Sequence, residues 1–176
     1  MSRFLFLFSI VVLTACSATK VAKESTPTYE TVMNGDEKIL KGYINRAAIE
    51  NDTTFAWFKT NMNYGQADAA AVEAFRDKAD KFSMIVFGGT WCGDTQNLLP
   101  VFYRLVDKSG YPESKITLIG VDRTKQAIDD LHVKYNVTNV PTFIVIKPEG
   151  QEAGRVVEYG KLGQVDKELG EIVKAL

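Results

Sequence analysis

Apolar positions first form one block, then thin out, then recur at helical spacing, and finally fall into short unbroken runs. Phe4 to Leu13 is apolar except for Ser9. Ser17 to about Glu37 is rich in Ser, Thr, Lys and Glu, contains Pro27 and offers few large apolar side chains, which predicts a flexible tether. From Thr53 the period turns helical, with Phe55, Trp57, Phe58 and Met62 on or beside one face. A second helix is expected from Gln66 to about Asp80, with Gly65 between the two.

Then the pattern changes again. Phe82–Phe87, Ile116–Val121 and Thr142–Ile146 are short apolar runs of the kind that form strands buried on both faces. Helices are expected over Gly93–Ser109 and Lys125–Tyr135. Pro148-Glu149-Gly150 is a turn signal, Arg155–Glu158 is a β-type run, and Leu162–Leu176 is an amphipathic helix with Leu162, Val165, Leu169, Ile172 and Val173 on one side. The order strand, helix, strand, helix, strand, strand, helix places the chain in the α/β class, a central sheet flanked by helices.

Length and composition set bounds on this picture. At 176 residues the chain suits one domain with appendages. Hydrophobic residues are 45% and charged residues 24%, enough apolar material for a core. The formal net charge is −1 and no run of five or more Lys/Arg occurs, so nucleic acid is excluded as the expected partner.

The first fifteen residues have the form of an export signal. Arg3 precedes an apolar run too short to span a bilayer, which needs about 20 residues. Leu13-Thr14-Ala15-Cys16 follows, and it resembles the lipobox of bacterial lipoproteins, in which the Cys is acylated and becomes the N-terminus. The resemblance implies lipidation at Cys16, membrane attachment and a cell-envelope location. In a diderm host, Ser17 rather than Asp after that Cys implies the outer membrane, facing the periplasm. The expected layout is a signal over 1–15, a tether over 16–37 and a folded domain over 38–176 with an N-terminal helical extension.

The candidate chemistry lies where the first buried strand meets a helix. Thr90-Trp91-Cys92-Gly93-Asp94-Thr95 opens that helix, and Pro100 lies eight residues beyond the Cys. Asn139-Val140-Pro141-Thr142-Phe143 lies far downstream, and Gly160 follows the last β-type run. The set resembles the thioredoxin superfamily, with its Trp-Cys-Gly-x-Cys motif, helix proline and cis-proline loop, over roughly Phe82 to Leu176. The resemblance implies a thioredoxin-like three-layer fold, a central mixed sheet with flanking helices. It also implies Cys92 as nucleophile, a cis Val140-Pro141 bond, and a substrate surface of Trp91, Gly93, Asp94, Val140, Pro141 and Thr142. A Cys at a helix N-terminus sees oriented N–H groups, a placement that favours the thiolate.

The departures from the family are as informative. Thr95 stands where the resolving Cys belongs, and the only other Cys is Cys16. A two-cysteine cycle within one molecule is therefore excluded. The Thr95 hydroxyl is expected to donate to a sulfur anion, which makes it the second candidate catalytic residue. Asp94 replaces the usual Pro and sets a negative charge near the sulfur, opposing a thiolate. Val86 stands at the family's buried acid position and Leu118 at its Lys neighbour, so that proton-handling pair is absent.

Other residues read as structural. His132, the single histidine, makes no metal site with one Cys, and neither metal nor cofactor is called for. Trp57, Phe58 and Tyr64 read as core, and Arg123 and Lys125 as a solvated loop. Two functions remain. One is a lipid-anchored monothiol protein acting through Cys92 on disulfides or mixed disulfides, with envelope proteins or low-molecular-weight thiols as partners. The other is a non-catalytic module gripping extended peptide segments.

Overall fold

The computed structural model describes residues 28–176. Cys16, the signal over 1–15 and the first part of the tether lie outside the described residues. Six strands form one mixed sheet in the order β1-β2-β4-β3-β5-β6. They are β1 Thr28–Asn34, β2 Glu37–Ile44, β3 Ser83–Gly88, β4 Ile116–Gly120, β5 Thr142–Ile146 and β6 Glu152–Val157. Only β3 and β4 run parallel; β3 pairs antiparallel with β5, and β5 with β6. The helices are α1 Arg46–Glu50, α2 Trp57–Met62, α3 Ala69–Asp77, α4 Gly93–Ser109, α5 Leu131–Lys134 and α6 Val165–Lys174.

Alternation along β3 and β5 divides the core between the two faces of the sheet, as a period of two requires. Met84, Val86, Phe143 and Val145 pack with Phe58, Phe75, Phe102 and Leu169 from α2, α3, α4 and α6. Phe87 and Ile144 face the other way, with Ile119, Leu131, Val137 and Val140. The three-layer architecture expected from the sequence is the one observed.

The hairpin β1–β2 is a correction. The composition predicts tether up to residue 37. Instead Thr28–Asn34 pairs along its full length with Glu37–Ile44, and β2 docks on β4 through Gly42, Tyr43 and Ile44. The signal was weak because every residue of β1 but Val32 is exposed. An edge strand that covers no core shows no apolar alternation. Gly120 permits the docking, since a Cβ there would lie 2.1 Å from the carbonyl oxygen of Leu40.

The expected helix over Lys125–Tyr135 is also corrected. It shrinks to a 3-10 turn at Ile128–Asp130 followed by α5. Lys125, Asp129 and Asp130 take positive φ, which interrupts any longer helix. Tyr64, expected in the core, is 67% exposed, whereas Phe58 is fully buried.

Candidate active site

Helix α4 begins at Cys92, whose backbone is extended (φ −87, ψ 123) and whose carbonyl accepts the first helical bond from Gln96 N–H at 2.9 Å. The helix carries Asp94 in its first turn and Lys108 in its last, each suited to the nearby dipole end, and stops at left-handed Gly110. Pro100 is buried within it. The free thiol of Cys92 is half-buried at the orphan N–H end of the helix.

The Val140-Pro141 bond is cis and brings its loop against the sulfur: Cys92 Sγ donates to Val140 O at 3.3 Å. Val140 N–H has no partner among the described residues, whereas Pro141 O accepts from Glu158 N–H at 2.7 Å. Thr142 is buried, its hydroxyl donates to Asn139 O at 2.7 Å, and its strand is paired on both edges.

Thr95 is tied to the loop backbone. Buried at 2% exposure, its hydroxyl accepts from Gly89 N–H at 3.2 Å and makes no hydrogen bond to Cys92. Its methyl faces Gly88, where a Cβ would come within 3.0 Å. Gly93 is exposed beside the sulfur and Asp94 half-buried. Val86 and Leu118 stand side by side across β3 and β4, both buried. This buried pair carries no acid or base, and it belongs to the core on the α2, α3, α4 and α6 side, whereas Cys92 packs against the core on the other side.

Trp91 is less open than expected. Its Nε1 donates to Val121 O at 3.1 Å, and the Arg123 guanidinium lies 5.4 Å over its ring. Arg123 is in turn held by Glu37 through two bonds of 2.7 and 2.8 Å, so it is not a free loop cation. The Arg123 hydrogen bond keeps the Glu37 carboxyl below its usual range. Asp122 binds Lys41 at 2.7 Å; burial alone would raise its pKa, but the Lys41 bond, with Thr124 and Gln126 N–H, brings it to about 2. Lys125 donates to Asn139 at 3.2 Å beside the cis-proline loop.

The residues missed by sequence reasoning are those that brace the loop. Thr90 Oγ1 donates to Lys38 O and accepts from Leu40 N–H, both at 3.3 Å, joining the motif to β2. Gln96 Nε2 donates to Thr90 O at 2.9 Å, and Asn61 Nδ2 to Gln96 O at 2.9 Å. Only Thr90, inside the motif, carried any signal. His132 accepts from Ala127 N–H at 3.2 Å, a local structural bond. Among the described residues no group of three or more His, Cys, Asp or Glu is placed to hold a metal ion.

Known proteins agree with this geometry. A family model described as Thioredoxin matches residues 40–167. An H-type thioredoxin from Oryza sativa subsp. indica is 35% identical over 95 residues, 54% of this chain and 70% of that protein. A thioredoxin from Echinococcus granulosus is 35% identical over 98 residues, 56% of this chain and 84% of that protein. A Pseudomonas aeruginosa protein of unknown function shares the fold at TM-score 0.52 and 17% identity, covering 76% of this chain and 93% of its own. With the motif, the cis-proline loop and the three-layer sheet in place, the chain belongs to the thioredoxin family, and its general type of function is thiol–disulfide redox chemistry.

Proposed function

We propose that this protein is a lipid-anchored, single-thiol member of the family that works on disulfides or mixed disulfides in the cell envelope. The observation that carries the reading is the setting of Cys92. Its half-buried thiol stands at the start of α4, 3.3 Å from Val140 O, while the resolving position holds a buried Thr engaged with Gly89. A thiol and the unpartnered Val140 N–H lie in one loop pair, which supports a nucleophile beside a backbone site for an extended chain, and among the described residues there is no second thiol.

The cycle then needs an external thiol. The Cys92 thiolate attacks one sulfur of the target disulfide, a bond forms between the two sulfurs, and the other sulfur leaves as a thiolate that takes up a proton. A low-molecular-weight thiolate next attacks the mixed disulfide at the acquired sulfur. It departs disulfide-bonded to that group, and Cys92 is regenerated. If the target is a protein cysteine capped by a small thiol, one turnover frees the protein thiol and yields the small-molecule disulfide. The lipobox at Cys16 supports the anchor, and the polar stretch after it gives reach from the membrane.

The test is a glutathione-dependent assay on a peptide carrying a glutathione-capped cysteine, with membrane partitioning in parallel. Turnover that requires glutathione and disappears in Cys92→Ser supports the chemistry. Retention of Cys16→Ala in the detergent phase would remove the anchor. The buried apolar pair Val86 and Leu118, which supplies no acid or base, favours a second reading as a peptide-binding module. Peptide affinity equal in wild type and Cys92→Ser, with no turnover, would select it.

A further inference from the structure

Well along α4 from the thiol, on the side that meets α2, Arg104 is a buried cation, 8% exposed as a residue. Twelve residues separate it from Cys92, about 18 Å along the helix. One part of the group is structural, since Nη1 donates to Asn61 O and Met62 O, both at 3.1 Å, and closes the carbonyl end of α2. The rest is not engaged. Nε is buried without a partner, and Nη2 makes no hydrogen bond among the described residues. No carboxylate pairs with this cation among them. Nε is closed off within the protein, so Nη2 is the corner of the group left to meet a ligand. A largely buried cation without an acidic partner is costly, and an anion at that corner would offset the cost.

The surroundings fit such an anion. Arg104 lines an open cavity of about 890 Å³ between the α2–α3 loop and α4. Arg76 and Lys108 line the same cavity and form no ion pair among the described residues. The acid at its wall, Asp107, is already held by Arg46 through bonds of 2.6 and 3.1 Å. Gln66 adds an amide, and Met62 and Val72 give an apolar wall. Gly65 leaves room beside Nη2, since even a Cβ there would sit 3.6 Å from it. A neighbouring cavity of about 370 Å³ shares Gln66 and Arg104, but it contains Asp68 and Asp166, whose charges oppose an anion.

We propose that the larger cavity binds a small organic acid, its carboxylate or phosphate head on Nη2 of Arg104 and its apolar body against Met62 and Val72. Arg76 and Lys108 draw the charge in from the rim. The site is independent of Cys92.

Titration calorimetry of the full-length protein with hexanoate, phenyl phosphate and inorganic phosphate tests this, with chloride as the control salt. The expected result is saturable binding of hexanoate or phenyl phosphate, weakened about tenfold or more in Arg104→Lys, which keeps the charge but cannot hold the α2 carbonyls with one nitrogen and a ligand with another. The exposed pair Arg76→Gln/Lys108→Gln leaves α2 capping intact and is expected to weaken binding several-fold, so the site stays testable even if Arg104→Lys misfolds. Preference between hexanoate and phenyl phosphate identifies the head group. Inorganic phosphate binding as tightly as phenyl phosphate would overturn the role of the apolar wall. No binding of any of the three below about 10 mM, or binding unchanged in the double variant, would overturn the site.

Discussion

The hydroxyl of Thr95 braces the backbone N–H of Gly89 at 3.2 Å, at the position where a family member with two thiols keeps its second sulfur. The same side chain therefore removes internal resolution and holds the loop that presents Cys92. Gly89 is itself pressed against Trp91, since a Cβ on it would lie 2.7 Å from the indole. The loop is fixed from two sides.

Two substitutions at this position separate its roles. Thr95→Val keeps the shape and leaves a buried N–H unpaired, so it should lose about 1–3 kcal/mol in urea unfolding, while Thr95→Ser should lose less. Thr95→Cys should close a disulfide with Cys92 on mild oxidation, because both lie within one turn of the start of α4. Turnover in a disulfide-reduction assay, with an external reductant to reopen the new disulfide each cycle, should then rise only modestly, as the buried pair Val86 and Leu118 supplies no acid or base. An introduced thiol that stays free under oxidation would contradict the loop geometry.

The cover on Trp91 is equally open to test. Arg123→Ala removes the guanidinium and its link to Glu37, so acrylamide should quench the tryptophan fluorescence more strongly. Stability should change by less than about 1 kcal/mol, the usual scale for an exposed ion pair. Unchanged quenching would mean that Arg123 does not shield the ring in solution.

Acid should act on the hairpin through Asp122. Its carboxyl is lowered from 3.8 to about 2 in the folded state; burial acts against this, but the Lys41 hydrogen bond and its neighbours outweigh it. Asp52, held by Lys38, is likewise lowered to about 2. A carboxyl whose folded pKa is depressed contributes stability that is fully present above the unfolded pKa and is lost as pH falls through the folded one. Wild type should therefore lose stability between about pH 5 and pH 2, and Asp122→Asn should show a flatter urea-midpoint profile across that window. Parallel profiles would show that the pair contributes nothing to folding.

Gly120→Ala tests the docking of the hairpin. The added carbon would meet a backbone oxygen of β2 at 2.1 Å, which no rotamer change relieves. A loss of about 1–3 kcal/mol is expected, as for overpacking of a tight site. It should be accompanied by faster amide exchange in Gly42 to Ile44, the residues that pair with β4.

Much of this was legible in the sequence where burial is two-sided or the chemistry is local. β5 and α4 begin and end at the residues expected for them, because an apolar run bounded by Pro141 and Pro148, and a helix between a motif and Gly110, carry their own stop signals. The hairpin was not legible, since β1 buries almost nothing and its register depends on β2 and Gly120. The shortened α5 depends on positive φ at two Asp residues, which no periodicity reports. Cys92 and the cis-proline loop were visible as motifs. Glu37, Thr90, Gln96 and Arg123 became part of the site only through pairings distant in sequence, such as Glu37 with Arg123.

The central claim is that Cys92 captures a sulfur and gives it up to an external thiol. Intact-mass spectrometry of the reduced protein after exposure to glutathione disulfide, with the adduct mapped by digestion, tests it most directly. The account predicts one glutathione on the Cys92 peptide, its removal by added reduced glutathione, and no such adduct in Cys92→Ser. A Cys92 thiol that stays unmodified while the protein remains folded, or an adduct that reduced glutathione cannot remove, would contradict it.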